Sequence, residues 1–225
     1  MQLRCALISV VLLTLPFTHS MQAQQSIPEP IPGVHITNGS IPWAVDVYNG
    51  KQELVPIHHS AIDLNNHKAA NVAGSLAGSF FYKPKATTEI SGAHARVALH
   101  TDEPAFYVHV MNDPGGDSPD TSWAIVRAVV KKDRRVFSQI RFTQLTDNAK
   151  RSDSQIEATI ESLPDGWLKI TPSAPLAPGE YALMPIPKAQ NTFSTVVFDF
   201  SLDPNGPNAS DALSAPNAQE GSAKP

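Results

Sequence analysis

Short segments in which apolar and polar residues alternate are the feature that most constrains this chain. A side-chain period of two places the apolar residues on one face of a strand, whereas a helix needs a period near 3.6. These segments recur about every ten residues, and the chain carries 20 prolines and 12 glycines that can serve as turns. The pattern predicts an all-β fold, an antiparallel β-sandwich that is immunoglobulin-like or related.

A first hairpin is indicated by the dipeptide Asn49-Gly50. It lies between the strand-like segments AVDVY (44–48) and ELVPI (53–57). Asn-Gly favours the tight turns whose twist matches that of two paired strands, so these two segments are predicted to be neighbours.

A second hairpin is predicted over residues 94–111, around a turn at 101–104. In that register Leu99 pairs with Phe106, and the apolar residues of both strands share one face. The opposite face would then carry a row of polar and aromatic side chains, namely His94, Arg96, His100, Tyr107 and His109.

Further strands are predicted around the charged segment KKDRR (131–135) and toward the C-terminus. Residues 154–162 fit either a strand or a helix, and residues 58–79 fit a loop, a short helix or a poor strand. The remaining strand predictions cover residues 123–142 on both sides of the charged tip, then 166–171, 180–185 and 194–202.

The segment LAPGEYALM (176–184) admits two interpretations. Glu180 and Tyr181 could be catalytic groups, or the segment could be a corner of the fold. In immunoglobulin-like sandwiches, a tyrosine near the start of the penultimate strand donates its hydroxyl to upstream backbone. Tyr181 begins the second-last predicted strand, so we favour the corner, with Tyr181 as a structural latch and Glu180 at the edge.

Residues 1–23 have the features of a secretory signal peptide. Arg4 precedes a run of apolar residues that is too short to span a bilayer, and small residues near Ser20 and Ala23 offer cleavage sites. No later segment is long and apolar enough to cross a membrane. We therefore expect an exported protein that is periplasmic, on the cell surface or secreted.

The rest of the chain is expected to form one domain with two polar extensions. Residues 24–33 are a proline-rich lead-in, and residues 34–202 are the β-sandwich. Residues 203–225 have almost no large apolar side chains, which predicts a disordered tail.

Signal cleavage would also change the chemistry available to the mature chain. It removes Cys5, the only cysteine, and so excludes disulfides, a thiol nucleophile and cysteine metal ligands. Arg4 is the only charged residue removed, which leaves 16 basic against 21 acidic residues and a net charge of −5 instead of −4. That balance argues against a general nucleic-acid partner.

Several of these motifs together resemble a group of uncharacterised exported bacterial all-β proteins. The resemblance rests on VRAVVKKDRRVF (126–137), PLAPGEYAL (175–183) and a closing VFDFSL (197–202), and it extends to residues 35–57 and 90–99. It implies an exported bacterial β-sandwich. It implies no catalytic residues.

Histidines supply the main candidates for a binding site. On the predicted hairpin face, His94, Arg96, Tyr107 and His109 could bind a small ligand. His94 and His109 could also share a divalent metal ion, joined by His58 or His59 if the fold brings that segment near, because histidine is the commonest metal ligand. A ligand- or metal-dependent enzyme using the His94/Arg96/His109 face is therefore one alternative. No other cofactor is indicated.

Other candidate sites have ordinary structural explanations. Asp113, Asp117 and Asp120 could bind calcium but are also typical turn residues, and KKDRR could bind an anion but is also typical of a solvated hairpin tip. Three tryptophans could form a glycan platform, but each lies where a core aromatic is expected: Trp43, Trp123 and Trp167. No nucleophile motif or HExxH motif occurs. The sequence thus favours a non-enzymatic binding or structural module with a cell-envelope or extracellular partner, and a glycan-binding module is a further alternative.

Overall fold

The computed structural model describes most of the chain between residues 30 and 209. The described residues are 30–31, 34, 36, 38–67, 71, 73, 84–110, 121–142 and 149–209. The proposed signal peptide and the loop at 112–120 therefore lie outside them. In the part of the chain that the structure describes, no helix has the length and apolar character needed to cross a membrane.

Most of the described residues form β-strands joined by turns, with one turn of 3-10 helix at Pro164–Gly166 and helical residues at Asn71, Ala73 and Ala209. The strands in chain order are β1 (Trp43–Tyr48), β2 (Lys51–Pro56), β3 (Asp63–Asn65), β4 (Lys85–Ser91), β5 (Ala98–Leu99), β6 (Ala105–His109), β7 (Thr121–Arg127), β8 (Val129–Lys131), β9 (Arg134–Phe142), β10 (Ala149–Asp153), β11 (Gln155–Ile156), β12 (Ala158–Ser162), β13 (Trp167–Pro172), β14 (Gly179–Pro187) and β15 (Phe198–Leu202).

These strands are arranged in three sheets of five strands each. The front sheet has the order β12-β13-β6-β1-β2, and the middle sheet has the order β11-β7-β14-β15-β5. The back sheet has the order β10-β9-β4-β3, with β8 also paired to β9. All pairings are antiparallel except that of β5 with β15, which is parallel. The all-β fold and its sandwich architecture are confirmed.

The largest core, which we call the front core, lies between the front and middle sheets. Phe106 on β6 and Ile170 on β13 are fully buried there against Leu183 on β14 and Phe200 on β15. The rings of Phe106 and Phe200 are 5.0 Å apart between centroids, so the two sheets meet through direct aromatic contact.

A second core lies on the opposite face of the middle sheet, against the back sheet. Along β14 the side chains alternate, so that Leu183 faces the front core while Ala182 and Met184 face Phe137 of β9. The middle sheet is thus covered on both faces, which explains why β14 reads as an almost unbroken apolar run.

The first hairpin prediction is confirmed. β1 pairs with β2 in a register that runs from Trp43 opposite Pro56 to Tyr48 opposite Lys51. Asn49 and Gly50 both have positive φ, 51° and 74°, which is the left-handed conformation that this two-residue turn requires.

The second hairpin prediction, over residues 94–111, is wrong. β5 pairs with β15 in the middle sheet, whereas β6 pairs with β1 and β13 in the front sheet. Leu99 and Phe106 nevertheless lie in the same core, because they face it from opposite sheets. The alternation of apolar residues identified the buried side chains but could not distinguish one sheet from two.

Other strand predictions agree with the structure. The chain turns at Lys132 and Asp133 between β8 and β9, and the strands predicted at 166–171 and 180–185 correspond to β13 and β14. Of the strand predicted at 194–202, only residues 198–202 form a strand, β15. Residues 154–162, left open between helix and strand, form β11 and β12. Within residues 58–79, the described part contains the short strand β3.

The domain extends further toward the C-terminus than the sequence predicted. Residues 203–209 were assigned to a disordered tail, but Ala209 is buried in the front core and Asn208 contacts Glu53. Residues 210–225 lie outside the described residues.

Candidate functional site

Glu180, one of the residues that raised a catalytic interpretation, is buried at the start of β14. Its Oε2 accepts a hydrogen bond of 2.7 Å from the backbone N–H of Ala95, and its Oε1 lies 3.0 Å from Nδ1 of His94. Nη1 of Arg135 lies 3.6 Å from Oε2. The prediction that Glu180 lies at an edge is wrong, because both of its oxygens are engaged in the interior.

Arg135 is the centre of this polar cluster. It follows the turn at Lys132-Asp133 and lies on the same side of β9 as Phe137, so it points inward at the middle sheet. Its Nη1 is 2.5 Å from Oδ2 of Asp199, and its Nε donates to the carbonyl of Gly92 at 3.1 Å. Since Arg135 and Asp199 are both buried, this ion pair joins the back and middle sheets. We refer to Arg135, Asp199, Glu180 and His94 as the Arg135 network.

His94 is the exposed member of the Arg135 network. Its side chain is 85% exposed, whereas that of Glu180 is only 6% exposed. An imidazole oriented by a buried carboxylate is one part of a general base or of a metal site. Both chemistries need further groups, and the Arg135 network supplies only the orientation of one imidazole.

A second polar site is built around Asp46, which is fully buried on β1. Its Oδ1 accepts hydrogen bonds from the backbone N–H groups of His100 and Thr101, at 2.8 Å and 2.9 Å. Its Oδ2 lies 2.7 Å from Nδ1 of His100. Asp46 therefore accepts three hydrogen bonds and fixes the chain where it leaves β5.

His100 is enclosed by acceptors on both sides of its ring. Nδ1 faces Asp46, and Nε2 lies 3.2 Å from the backbone carbonyl of Gly206. Burial lowers the pKa of His100, but the hydrogen bonds to Asp46 and Gly206, with the charges of Asp46 and Glu53, outweigh burial and raise the pKa above its ordinary value. Two acceptors require two ring protons, so this geometry fits the imidazolium form.

Asp46, Glu53 and His100 also form a group of three possible metal ligands, with one atom of each within 4.8 Å of the others. The contacts favour protons over a metal ion. Nδ1 and Oδ2 are at hydrogen-bond distance, Nε2 faces a carbonyl, and both oxygens of Glu53 accept from Nδ2 of Asn208 at 2.9 Å and 3.1 Å. We assign the group to hydrogen bonding.

The histidines predicted to share one face are distributed over different parts of the fold. His94 contacts Glu180 at the start of β14, whereas His109 ends β6 in the front sheet. Nε2 of His109 donates to the carbonyl of Asp165 at 3.0 Å, and its ring lies 5.0 Å from that of Trp167. The hairpin that would have joined His94 to His109 does not form, so the shared face is wrong.

The other predicted site residues lie in different environments. Tyr107 is buried in a small cluster with Trp167 on the outer face of the front sheet, and Arg96 is exposed. His58 and His59 follow β2 and are exposed, with the ring of His59 edge-on to Phe198. Within the described residues, the group of possible metal ligands at Asp46 includes none of the four predicted histidines. Binding by any one of these residues stays a prediction.

The predicted corner at Tyr181 is confirmed. The Tyr181 hydroxyl donates to the backbone carbonyl of Ala177 at 2.6 Å. Burial raises the pKa of Tyr181, against the opposing effect of Arg127, so the phenol keeps its proton and can donate. The Arg127 guanidinium lies over the face of the Tyr181 ring, 5.5 Å from the ring centre, in a cation–π contact.

The tryptophans contribute to packing. Trp167 is buried, Trp123 lies against Phe198 with ring centroids 6.0 Å apart, and Nε1 of Trp43 donates to the carbonyl of Asn38 at 2.7 Å.

The KKDRR tip is less solvated than predicted. Arg135 is buried, and Arg134 pairs with Asp63 at 2.9 Å.

Sequence reasoning missed Asp46, Asp199 and Arg135 as site residues. A usable signal was present, because each lies within a strand in phase with buried residues. Asp46 is two residues from Ala44, and Arg135 is two residues from Phe137. A charged side chain at such a position must find partners in the interior, and this marks it as part of a buried network.

Comparisons of this chain with protein-family models, with curated proteins and with solved structures found no match. The arrangement of the side chains is therefore the observation that bears on function.

Proposed function

We propose that this protein is an exported, non-enzymatic β-sandwich that acts as a binding or structural module outside the cytoplasm. The observation that carries the proposal is that two of its buried acidic groups hold parts of the fold together through hydrogen bonds. We call an acidic or basic group in this role a fastener. Asp46 accepts three hydrogen bonds, and Glu180 has a partner on each oxygen. These hydrogen bonds hold both carboxylates against the chain's own donors.

The positions of the two polar sites support this role. The Arg135–Asp199 ion pair links β9 of the back sheet to β15 of the middle sheet. Asp46 on β1 of the front sheet holds the residues that follow β5 of the middle sheet. Each site thus joins two layers of the sandwich, where its loss would affect the packing of both.

Two further features support an extracytoplasmic binding or structural role. The N-terminal 23 residues have the pattern of a signal peptide, and the chain after cleavage would be acidic. An acidic surface disfavours nucleic acid as a partner and leaves cell-envelope or extracellular components as the candidates.

The fastener role can be tested with Asp46→Asn. Residues kept for activity are often held at a cost in stability, so their replacement leaves a protein equally or more stable, whereas replacement of a fastener lowers stability. An asparagine at position 46 would present an amide N–H₂ to one of three donors. We expect the free energy of unfolding in urea to fall by about 1–3 kcal/mol. Asp102→Asn is the matched control, because Asp102 is exposed.

An Asp46→Asn protein that unfolds at the same or a higher urea concentration than the parent would contradict the fastener role.

Elemental analysis of the purified mature protein addresses the enzyme alternative. Stoichiometric metal, with a melting temperature that falls when a chelator is added, would favour a metal-dependent site.

Export is tested by expressing the full chain in a bacterial host and measuring the mass of the product in each cell fraction. We expect the mature protein outside the cytoplasm, with an N-terminus just after Ser20 or Ala23. Full-length protein retained in the cytoplasm would contradict the proposal.

A further inference from the structure

The chain beyond β15 forms a short segment, residues 203–209, that is held beside the end of β5. We call this segment the C-terminal strap. The Asp203 N–H donates to the carbonyl of Leu99 at 3.0 Å, and Asn208 donates to the Glu53 carboxylate. Ala209, at its end, is buried in the front core. The Asp203 bond extends the parallel pairing of β15 with β5, and the rest of the strap packs against Ala98 and His100 at the end of β5.

The strap lies close to the sheet at Gly206. A Cβ atom at this position would lie only 2.8 Å from the Cβ of Ala98, so a side chain does not fit without a shift. The close approach brings the Gly206 carbonyl within 3.2 Å of Nε2 of His100. One histidine therefore contacts both the fixed carboxylate of Asp46 and the backbone of the strap.

We propose that protonated His100 is a latch for the C-terminal strap, and that loss of one ring proton releases the strap while the contact with Asp46 is kept. The two contacts of the ring differ in strength. The contact with Asp46 is 2.7 Å long and ionic, whereas the contact with Gly206 is 3.2 Å long and involves a neutral carbonyl. The remaining proton therefore stays on Nδ1. The lone pair on Nε2 then faces the carbonyl oxygen of Gly206, and this contact becomes repulsive.

The groups that face His100 all bear on its protonation. From β1 these are the Asp46 carboxylate and the Tyr48 ring, whose centroid is 4.6 Å from that of His100. From β2 it is the Glu53 carboxylate, and from the strap it is the Gly206 carbonyl. The carboxylates and the carbonyl favour the imidazolium and together raise the pKa of His100 despite its burial.

The direction of the switch follows from these contacts. The latch is closed when His100 is charged, and it opens as the pH rises through the pKa of the folded protein. An open latch would uncover the side chain of Ala98, against which Gly206 packs. The strap is in this sense a pH-dependent cover for the end of β5.

The experiment is a pH series by NMR on the purified mature protein, from about pH 5.5 to about pH 9.5. The ring resonances of His100 report its protonation, and hydrogen exchange reports the protection of individual amides. After correction for base catalysis, we expect the protection of the Gly206 amide, which donates to the Asp203 carbonyl within the strap, to fall at least about tenfold as His100 loses its proton, since the charge-assisted hydrogen bond from His100 to the Gly206 carbonyl is lost. The Thr101 amide, which is bound to Asp46, should keep its protection.

His100→Gln should leave the Gly206 amide poorly protected at every pH, while His58→Gln, at an exposed position, should behave like the parent. If His100→Gln does not fold, the titration of the parent protein still decides the question. Protection of the Gly206 amide that is unchanged while His100 titrates would overturn the proposal. So would loss of protection at Gly206 and Thr101 together, or a His100 ring that carries one proton at the lowest pH.

Discussion

Replacement of Arg135 by methionine is the most informative perturbation of the interior. Methionine has a similar reach but no charge, so Asp199 and Glu180 would remain buried without the guanidinium that faces both of them. Breaking a buried ion pair by removing one partner costs about 3–5 kcal/mol, because the remaining charge is uncompensated. For a domain of this size each kcal/mol lowers the melting temperature by roughly 2–4 °C, so the expected loss is about 6–20 °C.

The neighbouring arginine provides a matched control. Arg134 undergoes the same chemical change in Arg134→Met, but its side chain is 42% exposed and its nearer partner, Asp63, is 55% exposed, so this pair is screened by solvent. Its second partner, Glu89, is buried but also accepts hydrogen bonds from Asn65 and Thr87. We expect the effect of Arg134→Met to be much smaller. Urea unfolding, followed by tryptophan fluorescence and by circular dichroism, gives the free energy for both variants and tests two-state behaviour.

A double variant distinguishes the effect of losing the ion pair from the effect of losing side-chain packing at the same positions. Arg135→Met combined with Asp199→Leu removes both charges, and buried ion pairs replaced by apolar side chains are often neutral or stabilising. We expect it to recover part of the stability lost in Arg135→Met. If Arg135→Met unfolds like Arg134→Met, or if the double variant is less stable than the single one by the full cost of Asp199→Leu, the fastener argument is refuted.

Three further predictions address other parts of the fold. Tyr181→Phe removes the hydrogen bond to Ala177 but keeps the ring, and should lower the free energy of unfolding in urea by about 1 kcal/mol; unchanged unfolding would contradict the latch at this corner. Gly50→Ala adds a Cβ atom to a residue in the left-handed conformation, and no neighbouring atom would lie within 4 Å of that Cβ. The free energy of unfolding in urea should therefore fall by about 1 kcal/mol through backbone strain alone, and a larger loss would contradict this explanation. Because the pKa of His100 is raised in the folded state, its contribution is fully present below the ordinary value of 6.5 and is lost as the pH rises through the folded value, so thermal unfolding should show a decline on the alkaline side that is absent in His100→Gln.

The strands that the sequence predicted well are those whose determinants are local. Asn49 and Gly50 require a specific turn, and the turn fixes the register of β1 and β2. Tyr181 was found for a similar reason, since the Pro-Gly corner and the following apolar run lie within a few residues of one another. In both cases a few adjacent residues determine the structure.

The prediction over residues 94–111 failed because its determinants are not local. Val97, Leu99, Phe106 and Val108 are all buried in the front core, as the alternation indicated. Whether two adjacent apolar strands pair with each other or face each other across a core depends on which other strands lie beside them. Here β15, about a hundred residues further along the chain, takes the place beside β5.

The partners of the buried charged residues could not be predicted for the same reason. Asp46 meets His100, which meets Gly206, so the site joins three distant parts of the chain. The charged residues inside apolar strands were visible, but their partners were not. The sequence could indicate that Asp46 and Arg135 need buried partners, whereas the identity of those partners depends on the topology.

The position of β15 has a consequence for how the protein is made. This strand lies between β14 and β5, and its neighbour Val197 and its own Phe198 and Phe200 contribute to both cores. Until it leaves the ribosome, β5 has no partner, and apolar faces of the other strands stay open. The middle sheet can therefore be completed only after residues 198–202 have been synthesised, and until then its unpaired strands are open to association with other chains.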